Sequence, residues 1–191
     1  MPSLRAIFKT QPYLLTVIGK DRPGIIAAVS RVLFESGCNI EDTTMTILEG
    51  QFAMILIAAL PQPQTEKKLR QEFTRYKKNW GLNYFQKTLS QDLVRGEKHP
   101  AGTQTFIVSV IGKDRTGIVH ETSRILAEAR LNITDLNSKV LGKGEKTVFA
   151  MILEVDIPKG FKLKRLEPRW RQLRNRLGVD VHIKPVERLS L

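Results

Sequence analysis

Hydrophobic and polar positions follow the same succession of patterns twice along this chain. "YLLTVI" at residues 13–18 and "TFIVSVI" at residues 105–111 are β-rich runs that end at Gly19 and Gly112. Apolar residues at helical spacing come next in both halves, and they are Ile25, Val29, Val32 and Leu33, then Ile118, Ile125, Leu126 and Ala129. Each half is therefore predicted to begin with a strand and a helix.

The remainder of each half predicts two strands joined by a turn, a second helix and a last strand. "NIEDTTMTIL" meets "QFAMILIAAL" across Glu49-Gly50, and "NITDLNSKVL" meets "TVFAMILEVDI" across the loop 142–146. Apolar stripes then predict a helix over about residues 65–80, with Phe73 and Trp80 facing the core, and another around Trp170, which also faces the core and has Pro168 near its start. The runs "LNYFQKTL" and "VDVHIKPV" follow as strands. Because "FAMILIAAL" is apolar on both faces, we expect it in the centre of a sheet.

The two halves are copies of one another. "VIGKDRPG" returns as "VIGKDRTG", and 14 of 24 positions are identical between residues 17–40 and 110–133. Copies of this length indicate two domains rather than short solenoid repeats. The polar stretch "SQDLVRGEKHPAG" between them is typical of a linker. The predicted organisation is a first domain at residues 1–90, a linker at 91–103 and a second domain at 104–191.

The order βαββαβ predicts an α+β fold in which a four-stranded antiparallel sheet carries two helices on one face, the ferredoxin-like arrangement. Both copies resemble the ACT domain, an amino-acid-sensing module of this fold. The resemblance rests on "GKDRPGI" and "GKDRTGI" after the first strand, and on "GCNI" and "RLNI" where the second strand begins. "GCNIEDTTM" is similar to tandem-ACT proteins of the glycine cleavage system transcriptional repressor type. Only the linker lies outside the resemblance.

The resemblance implies an effector site between this loop and strand two, usually where two domains meet. The residues that it implies as ligand-binding are Asp21, Arg22, Pro23, Gly24, Ile25 and Asn39, and in the second copy Asp114, Arg115, Thr116, Gly117, Ile118 and Asn132. The residue types suit a small amino acid, because a helix N-terminus attracts a carboxylate and glycine lets a ligand approach the backbone. Each aspartate either holds the amino group or caps the helix, with Pro23 in its first turn.

A second interpretation of both loops is a tight strand-to-helix turn that binds nothing. The second copy departs from the pattern where Thr116 replaces Pro23 and where His120 replaces Ala27. These departures favour the first copy as the ligand site, and His120 either contacts a ligand or faces water. The fold also leaves the edge of strand two open, and in the ACT family such edges commonly pair. Pairing would occur within one chain or between chains, the second giving a homo-oligomer.

The chain shows no catalytic constellation. Its three histidines, His99, His120 and His182, fall in different predicted elements, and no His, Cys, Asp or Glu cluster has metal-ligand spacing. Cys38, the single cysteine, is interpreted as a small buried hydrophobe. We therefore expect a protein that is not an enzyme and needs no cofactor or metal. The longest apolar run has nine residues and no signal peptide is evident, which predicts a cytoplasmic protein without membrane association.

Charge is the unusual bulk property of the chain. The net charge is +12 at pH 7, with +4 in residues 66–80 and +7 in residues 158–191. Both stretches include predicted helices whose basic face lies opposite the apolar stripe. Such a face is solvated, or it contacts an acidic protein or a phosphate backbone. No helix-turn-helix or zinc-finger pattern occurs, so nucleic-acid binding is not the main hypothesis. The alternative hypothesis is a basic nucleic-acid-binding or protein-scaffold module whose ACT domains are structural. The main hypothesis is a regulatory protein that senses a small amino acid, with glycine as the first candidate, and acts on a transcriptional regulator.

Overall fold

The protein is described by a computed structural model that covers residues 11–89, 98–142, 144 and 147–186. The chain divides into two compact units, one ending at Arg95 and the other starting at Gly96, which we call the first and second modules. The first module contains β1 (Gln11–Lys20), α1 (Ile25–Glu35), β2 (Asn39–Leu48), β3 (Gln51–Leu60), α2 (Thr65–Trp80) and β4 (Asn83–Thr88). The second contains β5 (Thr103–Lys113), α3 (Ile118–Glu128), β6 (Asn132–Leu141), β7 (Val148–Pro158), a 3-10 turn (Leu163–Leu166), α4 (Glu167–Leu177) and β8 (Val179–Pro185).

Each module is a ferredoxin-like βαββαβ unit, which confirms the predicted fold class. Its four strands are antiparallel, in the order β2-β3-β1-β4 in the first module and β6-β7-β5-β8 in the second. The strand β3 lies inside its sheet, as its two-sided hydrophobic pattern predicted, and β7 has the same position in the second module. The strands that begin at Asn39 and Asn132 are edge strands.

The hairpin between β2 and β3 is closed by the sequence Glu49-Gly50. Both residues have positive φ, 48° and 73°, which is the geometry of the tight turn that suits the twist of paired strands. An irregularity in the pairing falls between Ile40 and Asp42, and the second module repeats it between Ile133 and Asp135. The duplication has therefore kept the local backbone as well as the order of the elements.

The cores form where the apolar helix stripes meet one face of each sheet. Phe73 on α2 and Trp170 on α4 are exposed by only 1% and 2%, which confirms that these aromatics belong to the cores. Pro168 occupies an early position of α4, as predicted, where its missing N–H breaks no helical bond. Cys38 is partly buried against the first core, and this burial raises the pKa of its thiol.

Part of the predicted linker packs on the second module. Residues 91–97 lie outside the described residues, but His99 Nδ1 is 2.8 Å from Asp156 Oδ1. The hydroxyl of Thr105 donates to the same carboxylate oxygen at 3.2 Å. Asp156 on β7 is 3% exposed, so its charge is almost fully removed from water. The segment from Lys98 onward is thus held to the sheet of the second module by a buried carboxylate.

Replacing His99 with alanine is expected to lower the free energy of unfolding of the second module by about 1–3 kcal/mol, because a buried carboxylate loses a hydrogen-bond partner. Urea unfolding measures this change. His182→Ala is the matched control, since His182 is exposed on β8, and it should be close to neutral. Equal effects of the two substitutions would contradict the assigned role of His99.

Tyr84 on β4 gives a prediction at high pH. Its hydroxyl is buried and finds no partner among the described residues, and burial raises the pKa of Tyr84 to about 12. The neutral phenol is therefore favoured in the folded state, and this stabilisation is present below pH ~10 and is lost as the pH rises toward 12. We expect Tyr84→Phe to raise the pH at which the first module unfolds, without loss of stability at pH 7.

Circular dichroism during an alkaline titration measures this midpoint. Tyr76→Phe is the control, because the Tyr76 hydroxyl accepts a hydrogen bond from Arg31 at an exposed site. If Tyr84→Phe unfolds at the same pH as the wild-type protein, the Tyr84 phenol does not limit stability at high pH.

Candidate ligand-binding loops

The loop between β1 and α1 ends in a glycine that occupies the N-cap position in a left-handed conformation and has no side chain to cap the helix. Gly24 has φ 93° and precedes α1, and Gly117 has φ 99° and precedes α3. Neither helix receives a hydrogen bond from a side-chain cap, so the first N–H groups of each helix are available to an anion. Residues other than glycine rarely adopt this φ, which explains why both copies keep glycine here.

The predicted helix caps were wrong. Asp21 and Asp114 lie three residues before the glycines that precede the helices, too early for their side chains to cap the first turn. Pro23 lies in the turn before α1 rather than in the first turn of the helix. The left-handed conformation of Gly24 causes this shift, because it turns the chain sharply and delays the helix until Ile25.

Asp21 is attached to the module through its backbone and not through its carboxylate. Its N–H donates to the carbonyl of Gly50 at 2.8 Å, which ties the loop to the turn between β2 and β3. Within the described parts of the chain, the carboxylates of Asp21 and Asp114 make no hydrogen bond or ion pair in either loop. A free carboxylate therefore accompanies the uncapped helix end in each module.

The first loop is packed against the end of α2. The guanidinium of Arg22 lies 4.2 Å from the ring centroid of Trp80, and a Cβ built on Gly24 would lie 3.4 Å from the same indole. Trp80 also stacks on Tyr76, with 6.3 Å between ring centroids. The apolar stripe placed Trp80 in the core, whereas its ring is shared between the core and the loop. The sequence held one signal of this second role, because the matching position in the second copy is Leu177 and not an aromatic residue.

The second loop is open and has a different charge beside it. Within the described residues, a Cβ on Gly117 would meet no atom within 4 Å. Glu121 lies in the first turn of α3, where α1 has Ala28. Hydrogen bonds from Arg124 and Arg176 lower the pKa of Glu121 to about 2, so it is ionised at neutral pH. A carboxylate at this helix end competes with an anionic ligand, which favours the first loop as the site.

His120 is exposed on α3, in agreement with the interpretation that its ring faces water. Arg115 and Thr116 are also exposed. Ile25 and Ile118, the last residues of the two predicted loop sets, are 2% and 1% exposed and belong to the cores. Their backbone N–H groups, rather than their side chains, are therefore the parts that a ligand would meet.

Asn39 does not lie beside the loop of its own module. It pairs with Ala59 on β3, whereas Lys20, the residue before the loop, pairs with Gln51. These two positions on β3 are eight residues apart, which corresponds to about 26 Å along an extended strand. Asn132 stands in the same relation to the second loop, since it pairs with Asp156 at the far end of β7. One small ligand cannot touch both the loop and the asparagine of a single module.

The basic helices carry less free charge than their composition indicates. On α2, Arg70 pairs with Glu66 at 2.9 Å and Arg75 with Glu72 at 3.1 Å. On α4, three arginines are paired with carboxylates, namely Arg169 with Glu128, Arg174 with Glu167 and Arg176 with Glu121. Each pair holds a guanidinium away from a phosphate, which weakens the case for a continuous nucleic-acid surface.

In residues 11–89, 98–142, 144 and 147–186, no three His, Cys, Asp or Glu side chains are grouped so that they could hold a metal ion. No helix in these ranges is long and apolar enough to cross a membrane.

The fold and the loops define a protein made of two ferredoxin-like modules, each with a glycine at the start of its first helix. A family model for the ACT domain matches residues 11–87 and again residues 104–184. The chain therefore belongs to the ACT-domain family and carries the domain twice, which confirms the resemblance seen in "GKDRPGI" and "GKDRTGI".

The chain is also similar to several known proteins and solved structures. A UPF0237 protein of Streptococcus mutans is 41% identical over 63 residues, 33% of this chain and 72% of the relative. A UPF0237 protein of Methanopyrus kandleri is 41% identical over 71 residues, 37% of this chain and 79% of the relative. A crystal structure of an unknown protein from Galdieria sulphuraria superposes with a TM-score of 0.75 at 24% identity, over 94% of this chain and 100% of the other.

Another crystal structure is described as a "putative glycine cleavage system transcriptional repressor". It superposes with a TM-score of 0.67 at 20% identity, over 94% of this chain and 99% of the other. At these identities the two structures show that the tandem fold is shared over almost the whole chain.

Trp80→Leu, which installs the second-module residue, is expected to loosen the first loop. Arg22 loses its aromatic partner and Gly24 loses its packing contact, together about 1–2 kcal/mol of local stability. Amide hydrogen exchange should accelerate at residues 22–26, while residues 115–119 of the second module serve as the internal control. Unchanged exchange at residues 22–26 would mean that the indole does not hold the loop.

Proposed function

We propose that this ACT-domain protein is a non-catalytic cytoplasmic regulator that binds a small amino acid at the first loop. The observation that carries the proposal is the start of α1 at Gly24, which receives no side-chain cap. Asp21 lies three residues earlier in the same loop, and its carboxylate has no hydrogen-bond or ion-pair partner among the described residues. A free amino acid presents a carboxylate and an ammonium group on one carbon. The carboxylate would accept hydrogen bonds from the helix N–H groups, and the ammonium group would pair with Asp21.

Glycine is the first ligand to test. The Trp80 indole lies close to Gly24, so a ligand held by the backbone at this position would have to be small. The structural relative described as a putative glycine cleavage system transcriptional repressor supports the same choice, together with a transcriptional regulator as the partner. Serine, with one added hydroxymethyl group, tests how narrow the site is.

We further propose that Asn39 acts on the ligand of a second copy of the chain. Antiparallel pairing of two β2 edges would place the first residue of one β2 level with the last residue of the other, beside its loop. The side chains along β2 support such an edge contact, because Met45, Ile47 and Leu48 are 42%, 52% and 69% exposed. This arrangement supplies the asparagine that the loop lacks within its own module.

Regulation then follows from linkage. A ligand that contacts two chains binds the paired state more tightly than the separate chains, so ligand concentration shifts the population toward the pair. A protein partner that distinguishes the two states would respond to the ligand by the same coupling free energy.

Isothermal titration calorimetry with glycine and serine tests the ligand site. Asp21→Asn should weaken binding by about tenfold or more, because a neutral amide replaces the partner of the ammonium group. Asp114→Asn is the matched control in the second module and should leave the affinity unchanged. Binding that survives Asp21→Asn but disappears in Asp114→Asn would move the site to the second loop.

The role of Asn39 needs a second readout. Asn39→Ala should weaken both glycine binding and ligand-dependent self-association in sedimentation, whereas Asn132→Ala should change neither. Heat signals absent for every amino acid would reject the sensor. They would favour the alternative, a basic scaffold or nucleic-acid-binding protein, which salt-dependent binding to arbitrary duplex DNA then tests.

A further inference from the structure

The second module has a groove along β8 and the start of α4. It has a volume of about 720 Å³ and lies outside the residues assigned to the loops. Its floor is apolar and is formed by Leu163, Trp170, Val181 and Ile183. Trp170 and Val181 are buried, while Leu163 and Ile183 are partly exposed and offer apolar surface to a ligand.

The corresponding place in the first module is polar. Glu66 and Gln86 stand 97 residues before Leu163 and Ile183. Glu66 accepts hydrogen bonds from Thr88 and Arg70, which hold its pKa below the usual value, and Gln86 accepts one from Tyr13. The apolar floor is therefore a property of the second copy and not a consequence of the fold.

The outer edge of β8 lies beside this groove and is not paired with another strand in the part of the chain that the structure describes. There β8 pairs with β5 and ends the sheet. The guanidinium of Arg174 donates to the carbonyl oxygen of Val181 at 3.0 Å, which shows that this carbonyl faces away from β5. Ile183, two residues further, presents its backbone groups on the same side. Such an edge offers hydrogen bonds to an added extended segment.

The rim of the groove is positive. Lys164 and Arg171 are exposed, and neither has a carboxylate within ion-pair distance among the described residues. Arg174 pairs with Glu167 at 2.8 Å, and Glu167 is the single acidic side chain among the lining residues. Three cations against one anion favour a negatively charged occupant.

We propose that this groove docks an extended, acidic segment of a partner protein. The segment adds a strand along β8, seats an apolar side chain on Leu163 and Ile183, above the buried Trp170, and brings carboxylates to Lys164 and Arg171. The proposal deepens the partner half of the proposed function, and it does not depend on the ligand of the first loop. A nucleic acid would match the charge but would leave the apolar floor and the strand edge without a partner.

A displayed library of random peptides, each about ten residues long, is the probe. Selection against the full chain, with counter-selection against Ile183→Gln, isolates peptides that need the groove. Ile183→Gln installs the residue of the first module and is checked for folding by its unfolding curve. We expect the selected peptides to alternate apolar residues with Asp or Glu.

A selected peptide is then measured by fluorescence anisotropy. Arg171→Glu, a surface variant, should weaken binding by about tenfold or more. Lys78→Glu on α2 makes the same change in net charge in the other module and should leave the affinity unchanged. The chain has two tryptophans, one in each module, so their indole N–H signals in NMR report on the two places separately. The peptide should shift the Trp170 signal and leave that of Trp80 in place.

The proposal would be overturned if peptides were enriched equally on the full chain and on Ile183→Gln, or if the selected peptides lacked acidic residues. It would also be overturned if a peptide shifted the indole signal of Trp80 and not that of Trp170. A Trp170 shift produced by duplex DNA and not by any selected peptide would overturn it as well, since this assigns the groove to nucleic acid. Glycine titration of the same samples separates the two proposals. Glycine binding without peptide binding would support the ligand site and overturn the docking groove. Peptide binding without glycine binding would support the docking groove and overturn the ligand site.

Discussion

The antiparallel pairing of β3 with both of its neighbours is the constraint on which the first module depends. β3 pairs with β1 and β2 along its whole length, so its register decides which side chains enter the core. The same register places the loop after Lys20 at one end of the sheet and Asn39 at the other. In the second module β7 plays the same role, because it pairs with both β5 and β6. The separation of the loop from its asparagine is thus built into the fold.

Duplication kept this frame and changed the surfaces on it. Trp80 and Ala28 in the first copy correspond to Leu177 and Glu121 in the second, and in our proposal these differences make the first loop the ligand site. The groove beside β8 shows the opposite trend, because the second copy has apolar residues where the first has a polar network. In our proposals the two modules therefore divide the work, with the ligand on one and the partner on the other.

Much of the fold could be predicted because the signals are local. The continuous apolar run "FAMILIAAL", the helical spacing over residues 65–80 and the repeated loop phrase each describe a few neighbouring residues, and the structure has these elements. The cap at Asp21 was predicted wrongly, because the left-handed conformation of Gly24 delays the helix until Ile25. Trp80 was assigned to the core alone, since periodicity gives the face of a helix but not the loop that packs against its end.

The sequence by itself determined that there are two ACT modules, the order of their elements, and the residue types offered by each loop. These properties follow from short-range patterns and from the repetition of one phrase. Only the tertiary structure decided that Asn39 lies about 26 Å from its own loop, that Arg22 rests on Trp80, and that an apolar groove opens beside β8. The physical reason is that strand register and helix packing join residues distant in the chain, and no local pattern contains those distances.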